Sequence, residues 1–580
     1  MTQRMILERN VPVPMRDGVV LRANVYRPET DDPVPALLCR LPYGKDVPQN
    51  VIVVLDPVKA TEAGYAVVYQ DTRGRHKSDG NFYPFVNEGV DGFDSVEWLA
   101  AQPWCSGAVG MFGGSYHGST QWLAAAQRPP HLKAIAPFIA PSEVYEGNMY
   151  QGGAFQLGLA IWWAIYMGMD SATRPGASGK PDLPQVGRFI AAMDRIGAEY
   201  GHLPLAELPL LRDSGVTSYY FDWIAHSSDD DYWQSLAWNR RYPGIDVPAL
   251  NMGCWYDLLV NGTLENFVRM RQEGGTEAAR DGQRLLIGPW SHGYVGGYFV
   301  DRDFGLMSAM EAIDLTGIQV RFFNRHLKNE TPASEAPVRI FVMGENRWRD
   351  EQEWPLARTQ YTKWFLHSAG EANTAGGGLS VATPVEEPQD HYVYDPGNPC
   401  PTVGGPSLLP GLRVAANAGP RDQNSAEARP DVLVYTSQPL AQAFEVTGPL
   451  SLTLYAASTA PDTDFVARLC DVTPEGKSII LQEGILRARF REGTQQPKLI
   501  TPGQIYEYRI NLVATSIVFF PGHRIRVDIT SSSFPRFDVN TNTGNPLGVD
   551  GPGDIRTAQQ TIFHDAARPS HLLLPVIPRA

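Results

Sequence analysis

Between residues 108 and 125 an apolar run of strand character, AVGMFGG, passes straight into a run of helix character, HGSTQWLAA, with Ser115 at the junction. Few folds put a strand and a helix end to end with almost no loop. Small residues must line the turn, and Gly113, Gly114 and Gly118 provide them. The pattern is G-x-S-x-x-G: His117 stands where the commoner G-x-S-x-G form has its second glycine. Such a junction belongs to a mostly parallel sheet with crossover helices, and the flanking sequence fits. ALLCRLPYG (36–44) and GYAVVYQDTRG (64–74) read as strands. In DGFDSVEWLAAQ (91–102), Phe93, Val96, Trp98 and Leu99 are expected to form one helical face against the sheet.

The texture then changes. From about 146 to 240 the chain is rich in aromatic and methionine residues, as in NMYQGGAFQLGLAIWWAIYMGM, and reads as a helical insertion. The α/β pattern returns with VPALNMGCWYD (247–257) and QRLLIGPWSH (283–292). After about 352 strand follows strand with turn residues and few helices, which predicts an antiparallel sandwich or jelly roll. With 580 residues, more than a single core of roughly 250–300 can hold, two or three units are expected, and the changes of texture mark three. These are an α/β-hydrolase core (1–145 and 241–351), a helical cap (146–240) and a C-terminal β jelly roll (352–580).

A serine hydroxyl is a weak nucleophile until a base takes its proton and a carboxylate orients that base. In this fold the chain order is serine, acid, histidine. Asp257 and His292 follow Ser115 in that order, each just beyond an apolar strand, where open α/β sheets assemble their sites. Ser115, Asp257 and His292 are therefore the candidate catalytic residues. His117 is the rival base, but two residues past the serine it starts the helix, and it reads as a packing or pocket residue. The backbone N–H of Tyr116 and the phenol of Tyr43, in RLPYGKD, are the expected oxyanion donors. This chemistry needs no cofactor and no metal.

The net charge of −14, with no run of basic residues, argues against nucleic acid as a partner. No stretch of about 18 apolar residues is available to span a membrane. Five scattered cysteines without C-x-x-C spacing indicate neither a disulfide framework nor a zinc site. The N-terminal residues meet charges before an apolar signal segment could form, so a cytoplasmic location is expected.

RLPYGKD, QDTRGRHKSDG, GMFGGSYHGSTQWLAA, GCWYDLLVNGTLENF and GPWSH together resemble the CocE/NonD hydrolases, and the likeness runs nearly end to end, through FVMGENRWRDEQEWP and SSSFPRFDVNTNTG. The resemblance implies the same three units. It places the nucleophile on Ser115, the acid on Asp257, the base on His292 and the oxyanion donors on Tyr43 and Tyr116. It is compatible with a homodimer. It also implies a small ester substrate with an apolar or aromatic acyl group, bound near Met149, Tyr150, Trp162 and Leu259.

Relatives that bind a free ammonium carry acidic residues close after the triad aspartate, whereas here Leu258, Leu259 and Val260 follow Asp257. An ammonium there would be left unpaired at a cost of several kcal/mol. Glu143 and Glu146 are the acidic residues that could supply charge from the cap. Adjacent residues on a helix diverge, so only one of Trp162 and Trp163 is expected at the pocket. An amidase, a β-lactam acylase or an X-prolyl dipeptidyl peptidase is the alternative of neighbouring chemistry. A retired hydrolase with a sugar-binding jelly roll is the alternative of another class.

Overall fold

The structure is a computed structural model that describes residues 4–51, 54–174, 180–331, 335–409 and 417–578. Its first sheet is built from β1 (Met5–Pro14), β2 (Val20–Pro28), β3 (Val34–Leu41), β4 (Ala66–Asp71), β5 (Cys105–Gly114) and β6 (Leu132–Phe138). After a short ribbon of β7 (Tyr150–Gln151) and β8 (Ala154–Phe155), the sheet resumes with β9 (Leu250–Tyr256), β10 (Arg284–Ser291), β11 (Val338–Val342) and β12 (Arg347–Glu351). The spatial order is β1-β2-β4-β3-β5-β6-β9-β10-β11-β12. The run from β4 to β11 is parallel, with antiparallel strands at both edges. Helices cover both faces of the centre, so β4 and β9 are buried along their whole length and their sequences are mostly apolar, with only Gln70, Asp71 and Asn251 polar and no in-out alternation.

The helix Glu88–Ala100 departs from the expected face. Gly92, Ser95, Val96 and Leu99 are buried, while Phe93 and Trp98 are only half-buried. A Cβ added at Gly92 would lie 2.6 Å from Cβ of Ala124 on the helix Tyr116–Ala125, so the two helices approach too closely for an aromatic face. Phe93 instead lies under the Arg16 guanidinium, 5.1 Å away.

Between β6 and β9 the described residues form helices and connecting loops apart from the β7–β8 ribbon. Its main helix, Leu157–Thr173, is buried on most sides, wedged between the other cap helices and the catalytic core. Beyond β12 the chain enters a second, eleven-stranded sheet. Its longest strands, Phe444–Ser458 and Tyr506–Phe519, pair antiparallel.

The first half of Tyr506–Phe519 alternates buried and exposed residues, while the second half is buried on both sides. The second half meets the first sheet: Met343 donates to the Ser516 carbonyl at 3.0 Å and accepts from Val518 at 2.9 Å. Gly344, at φ +84°, makes that approach feasible, since a Cβ there would sit 2.3 Å from the Val518 oxygen. Among the described residues no helix is long and apolar enough to cross a membrane. All five cysteines are buried and free.

Candidate active site

β5 delivers the chain to Ser115, which adopts φ 59° and ψ −124°, a strained conformation that turns a side chain out at the strand-to-helix junction. Neighbouring packing explains the glycine spacing. A Cβ at Gly113 would sit 2.6 Å from Cβ of His117, and one at Gly118 2.6 Å from Cβ of Ala140. The second obligatory glycine is therefore residue 118, where the helix presses on the segment after β6, and residue 117 can carry a side chain.

Asp257 lies just past β9 and His292 just past β10. His292 Nδ1 is 2.9 Å from Asp257 Oδ1, and Nε2 is 3.0 Å from Ser115 Oγ. A carboxylate only accepts, so Nδ1 carries the hydrogen and the lone pair on Nε2 faces the serine hydroxyl. Asp257 Oδ1 also accepts the Leu259 N–H at 2.9 Å, which fixes the carboxylate in its buried position. The C-terminal unit braces this strand end, since Gln482 Nε2 donates to the carbonyls of Trp255 at 2.6 Å and Ala514 at 2.8 Å.

Tyr43 follows β3, and its hydroxyl accepts a hydrogen bond from Trp163 Nε1 at 3.0 Å. Burial pushes the phenol well above its ordinary range, which keeps it protonated and a donor. Tyr116 opens the helix, so its backbone N–H is one of the donors that a helix N-terminus leaves without an intrahelical partner. Its side chain is held elsewhere. The hydroxyl donates to Glu88 at 3.0 Å and accepts from the Phe85 N–H at 2.9 Å, and the ring stacks on Phe85 at 4.6 Å.

Ser115 and His292 open onto a cavity of about 470 Å³. The core contributes Tyr43, Phe138 and Ile139, the segment after Asp257 contributes Leu258 and Leu259, and the C-terminal unit adds Leu408. Met149, Leu159, Trp162, Trp163 and Tyr166 line it from the cap. No Asp or Glu side chain is in this wall among the described residues.

Two expectations about the cavity are corrected. Tyr150 is outside it: its ring stacks on Tyr145 at 4.7 Å and its hydroxyl donates to the Trp223 carbonyl at 2.7 Å. Tyr150 opens the two-residue strand β7 and packs into the cap interior, whereas Met149, in the turn just before it, faces the cavity. Conversely, Trp162 and Trp163 both line the cavity, which runs along the helix face that also carries Leu159 and Tyr166, broad enough to take two adjacent residues. Trp163 reaches over to Tyr43, while Trp162 stacks on Tyr166 one turn along, at 5.5 Å.

Glu143 and Glu146 are also outside the cavity wall. Glu143 accepts from Asn239 at 3.2 Å and Glu146 from the Gly152 N–H at 3.3 Å. Burial, reinforced by neighbouring carboxylates, raises their carboxyls to about 7 and about 8 respectively. His117 borders the cavity, and burial lowers its imidazole to about 3, so it is neutral. Beside the second sheet Glu427, Cys470 and Asp528 converge, but they have protein partners: Cys470 donates to Asp528 at 3.7 Å and Glu427 meets Arg526.

A serine held by a histidine–aspartate pair at the strand ends of such a sheet defines the class: an α/β-hydrolase-type serine hydrolase. Known proteins sharpen this. The family model of the X-Pro dipeptidyl-peptidase (S15 family) matches residues 17–294, and that of the X-Pro dipeptidyl-peptidase C-terminal non-catalytic domain matches 329–573. The second match begins ahead of β11 and β12, which hydrogen-bond into the first sheet. The chain is 40% identical to the cocaine esterase of Rhodococcus sp. (strain MB1 Bresler) over 577 residues, 98% of each chain. It superposes on an α-amino acid ester hydrolase with TM-score 0.81 and 25% identity, covering 99% of this chain and 97% of that one. An aminopeptidase from a marine sediment archaeon (Thaumarchaeota archaeon) shares the fold at TM-score 0.83 and 24% identity, covering 100% and 97%. The chain belongs to the CocE/NonD family of serine hydrolases, the family of cocaine esterase.

Sequence reasoning passed over Trp163 as a partner of Tyr43, and Tyr166, Leu408 and Gln482 altogether. Each is brought in by packing between units far apart in the chain, which no local motif signals.

Proposed function

We propose that the protein hydrolyses small carboxylic esters whose acyl group is apolar or aromatic, through an acyl-enzyme on Ser115. The serine Oγ attacks the ester carbonyl carbon while its proton passes to Nε2 of His292, and Asp257 steadies the resulting imidazolium. The Tyr43 hydroxyl and the Tyr116 N–H donate to the tetrahedral oxyanion. As the intermediate collapses, His292 returns the proton to the departing alcohol. Water, activated by the same histidine, then releases the carboxylic acid and restores the serine.

The observation that carries this reading is the 3.0 Å and 2.9 Å relay from Ser115 through His292 to Asp257, set at the mouth of an apolar cavity. The absence of a carboxylate from the described wall disfavours substrates with a free ammonium, which would be desolvated there without a counter-charge. Leu259 in the wall adds apolar surface at the position where an acidic residue would be needed.

Kinetics on matched p-nitrophenyl esters and p-nitroanilides test it. Butyrate and benzoate esters are expected to outpace both the corresponding anilides and α-amino esters in kcat/KM. Faster turnover of the α-amino ester or of an X-Pro anilide would overturn the assignment. Five buried thiols, none in a disulfide, support a reducing cytoplasmic location. Fractionation of the native host, with activity recovered outside the cytosol, would contradict that part.

A further inference from the structure

Arg75 is 1% exposed and is absent from the described cavity wall, yet its guanidinium joins the two elements that meet at Tyr43. Nε donates to the carbonyl of Pro42, the residue before Tyr43, at 3.0 Å. Nη1 donates to the Met167 carbonyl and to Ser171 Oγ, both at 2.9 Å, and Nη2 is 3.4 Å from Asp170 Oδ2. The plane of the group lies over the Phe82 ring, 4.8 Å from its centre. Met167, Asp170 and Ser171 belong to the cap helix Leu157–Thr173, as does Trp163, whose indole donates to the Tyr43 hydroxyl. Residues 163, 167, 170 and 171 recur at three- and four-residue spacing, so one face of one helix addresses both ends of Tyr43. The other side of the loop is fixed on the core, where the Lys45 N–H donates to Asp71 at 2.8 Å.

We infer that Arg75 is a positioning residue for Tyr43, pinning the Pro42 carbonyl to the cap helix so that the oxyanion donor is in place only while that helix is docked. The inference rests on the proposed role of Tyr43 as oxyanion donor. Burying a guanidinium carries a large desolvation penalty, and an apolar side chain would fill the same space without it. What the planar fork adds is a fixed geometry between acceptors on two separate elements, which the point charge of a lysine cannot reproduce. A displacement of Tyr43 by a fraction of an ångström loses transition-state stabilisation and leaves acyl binding in the cavity unchanged.

A double-mutant cycle on full-length protein tests this, with kcat for a p-nitrophenyl ester normalised to active sites titrated with a fluorophosphonate. Arg75→Met is expected to lower kcat about tenfold with KM changed less than about twofold, and Arg75→Lys to rescue little of it. In the Tyr43→Phe background the same Arg75→Met change is expected to cost less than about twofold, because its target is gone. An equal fold loss in both backgrounds would overturn the positioning role while leaving Tyr43 as the donor. An unchanged kcat for Tyr43→Phe alone would instead overturn the oxyanion reading on which the inference stands. Should Arg75→Met fail to fold, Ser171→Ala, which removes one acceptor of the guanidinium, serves in the same cycle: a loss confined to the Tyr43 background supports the role, and a loss equal in both refutes it.

Discussion

Nδ1 of His117 lies 3.7 Å from Sγ of Cys39, while its Nε2 is buried with no hydrogen-bond partner among the described residues. A half-satisfied imidazole next to the nucleophile is a cost to folding, since a buried polar atom without a partner forfeits about 1–3 kcal/mol. His117→Leu, with a side chain of similar volume, is expected to raise the unfolding midpoint. The gain should grow as pH falls. The folded imidazole titrates at about 3, far below its unfolded value, so stability held above about pH 6.5 is lost as pH drops towards 3, and leucine removes that loss. Thermal melts of both proteins at pH 5.5 and 8 check this; a destabilised variant would show that the ring makes a contact more valuable than its desolvation.

Glu146 gives the opposite slope. Its folded carboxyl, raised to about 8 chiefly by burial, holds a proton that the unfolded chain releases near its ordinary value. The associated stability is complete at low pH and is lost as pH rises through about 8. Glu146→Gln retains an oxygen for the Gly152 N–H and cannot ionise. Relative to the parent protein it should be unchanged near pH 5 and more stable at pH 8.5. Denaturant midpoints at the two pH values measure the difference, and a constant offset between the proteins would contradict it.

Tyr150 and Leu259 should separate stability from specificity. Tyr150→Phe deletes the hydrogen bond to the Trp223 carbonyl and leaves a buried acceptor unpaired, an expected cost of about 1–3 kcal/mol with KM unchanged. Leu259→Ala enlarges the cavity wall and should shift preference towards bulkier acyl groups with a smaller effect on folding. Comparing melting points and KM values for acetyl, butyryl and benzoyl esters distinguishes the two. A specificity change in Tyr150→Phe would reverse their placement.

Much of the catalytic sheet and the order of its site residues could be read from the sequence because the signals are local. Ser115, Asp257 and His292 each follow an apolar strand directly, and the structure brings their side chains within hydrogen-bond reach. The cavity was less legible. Met149 sits in a turn and Tyr150 opens a two-residue strand, too little regular structure for a periodic pattern to assign their sides. The position of Phe93 depended on how closely Gly92 lets two helices approach, a tertiary distance that composition does not encode. The ties of Trp163 and Arg75 to the Tyr43 loop join residues far apart in the chain and lack any periodic signature.

The central claim is that Ser115 carries the acyl group. Acid-quenching the protein during turnover of p-nitrophenyl benzoate, followed by intact-mass measurement and peptide mapping, addresses it directly. The account predicts one benzoyl adduct per chain, on the peptide containing Ser115, and neither adduct nor turnover in Ser115→Ala. An adduct mapped to another residue, or undiminished hydrolysis by Ser115→Ala, would contradict it.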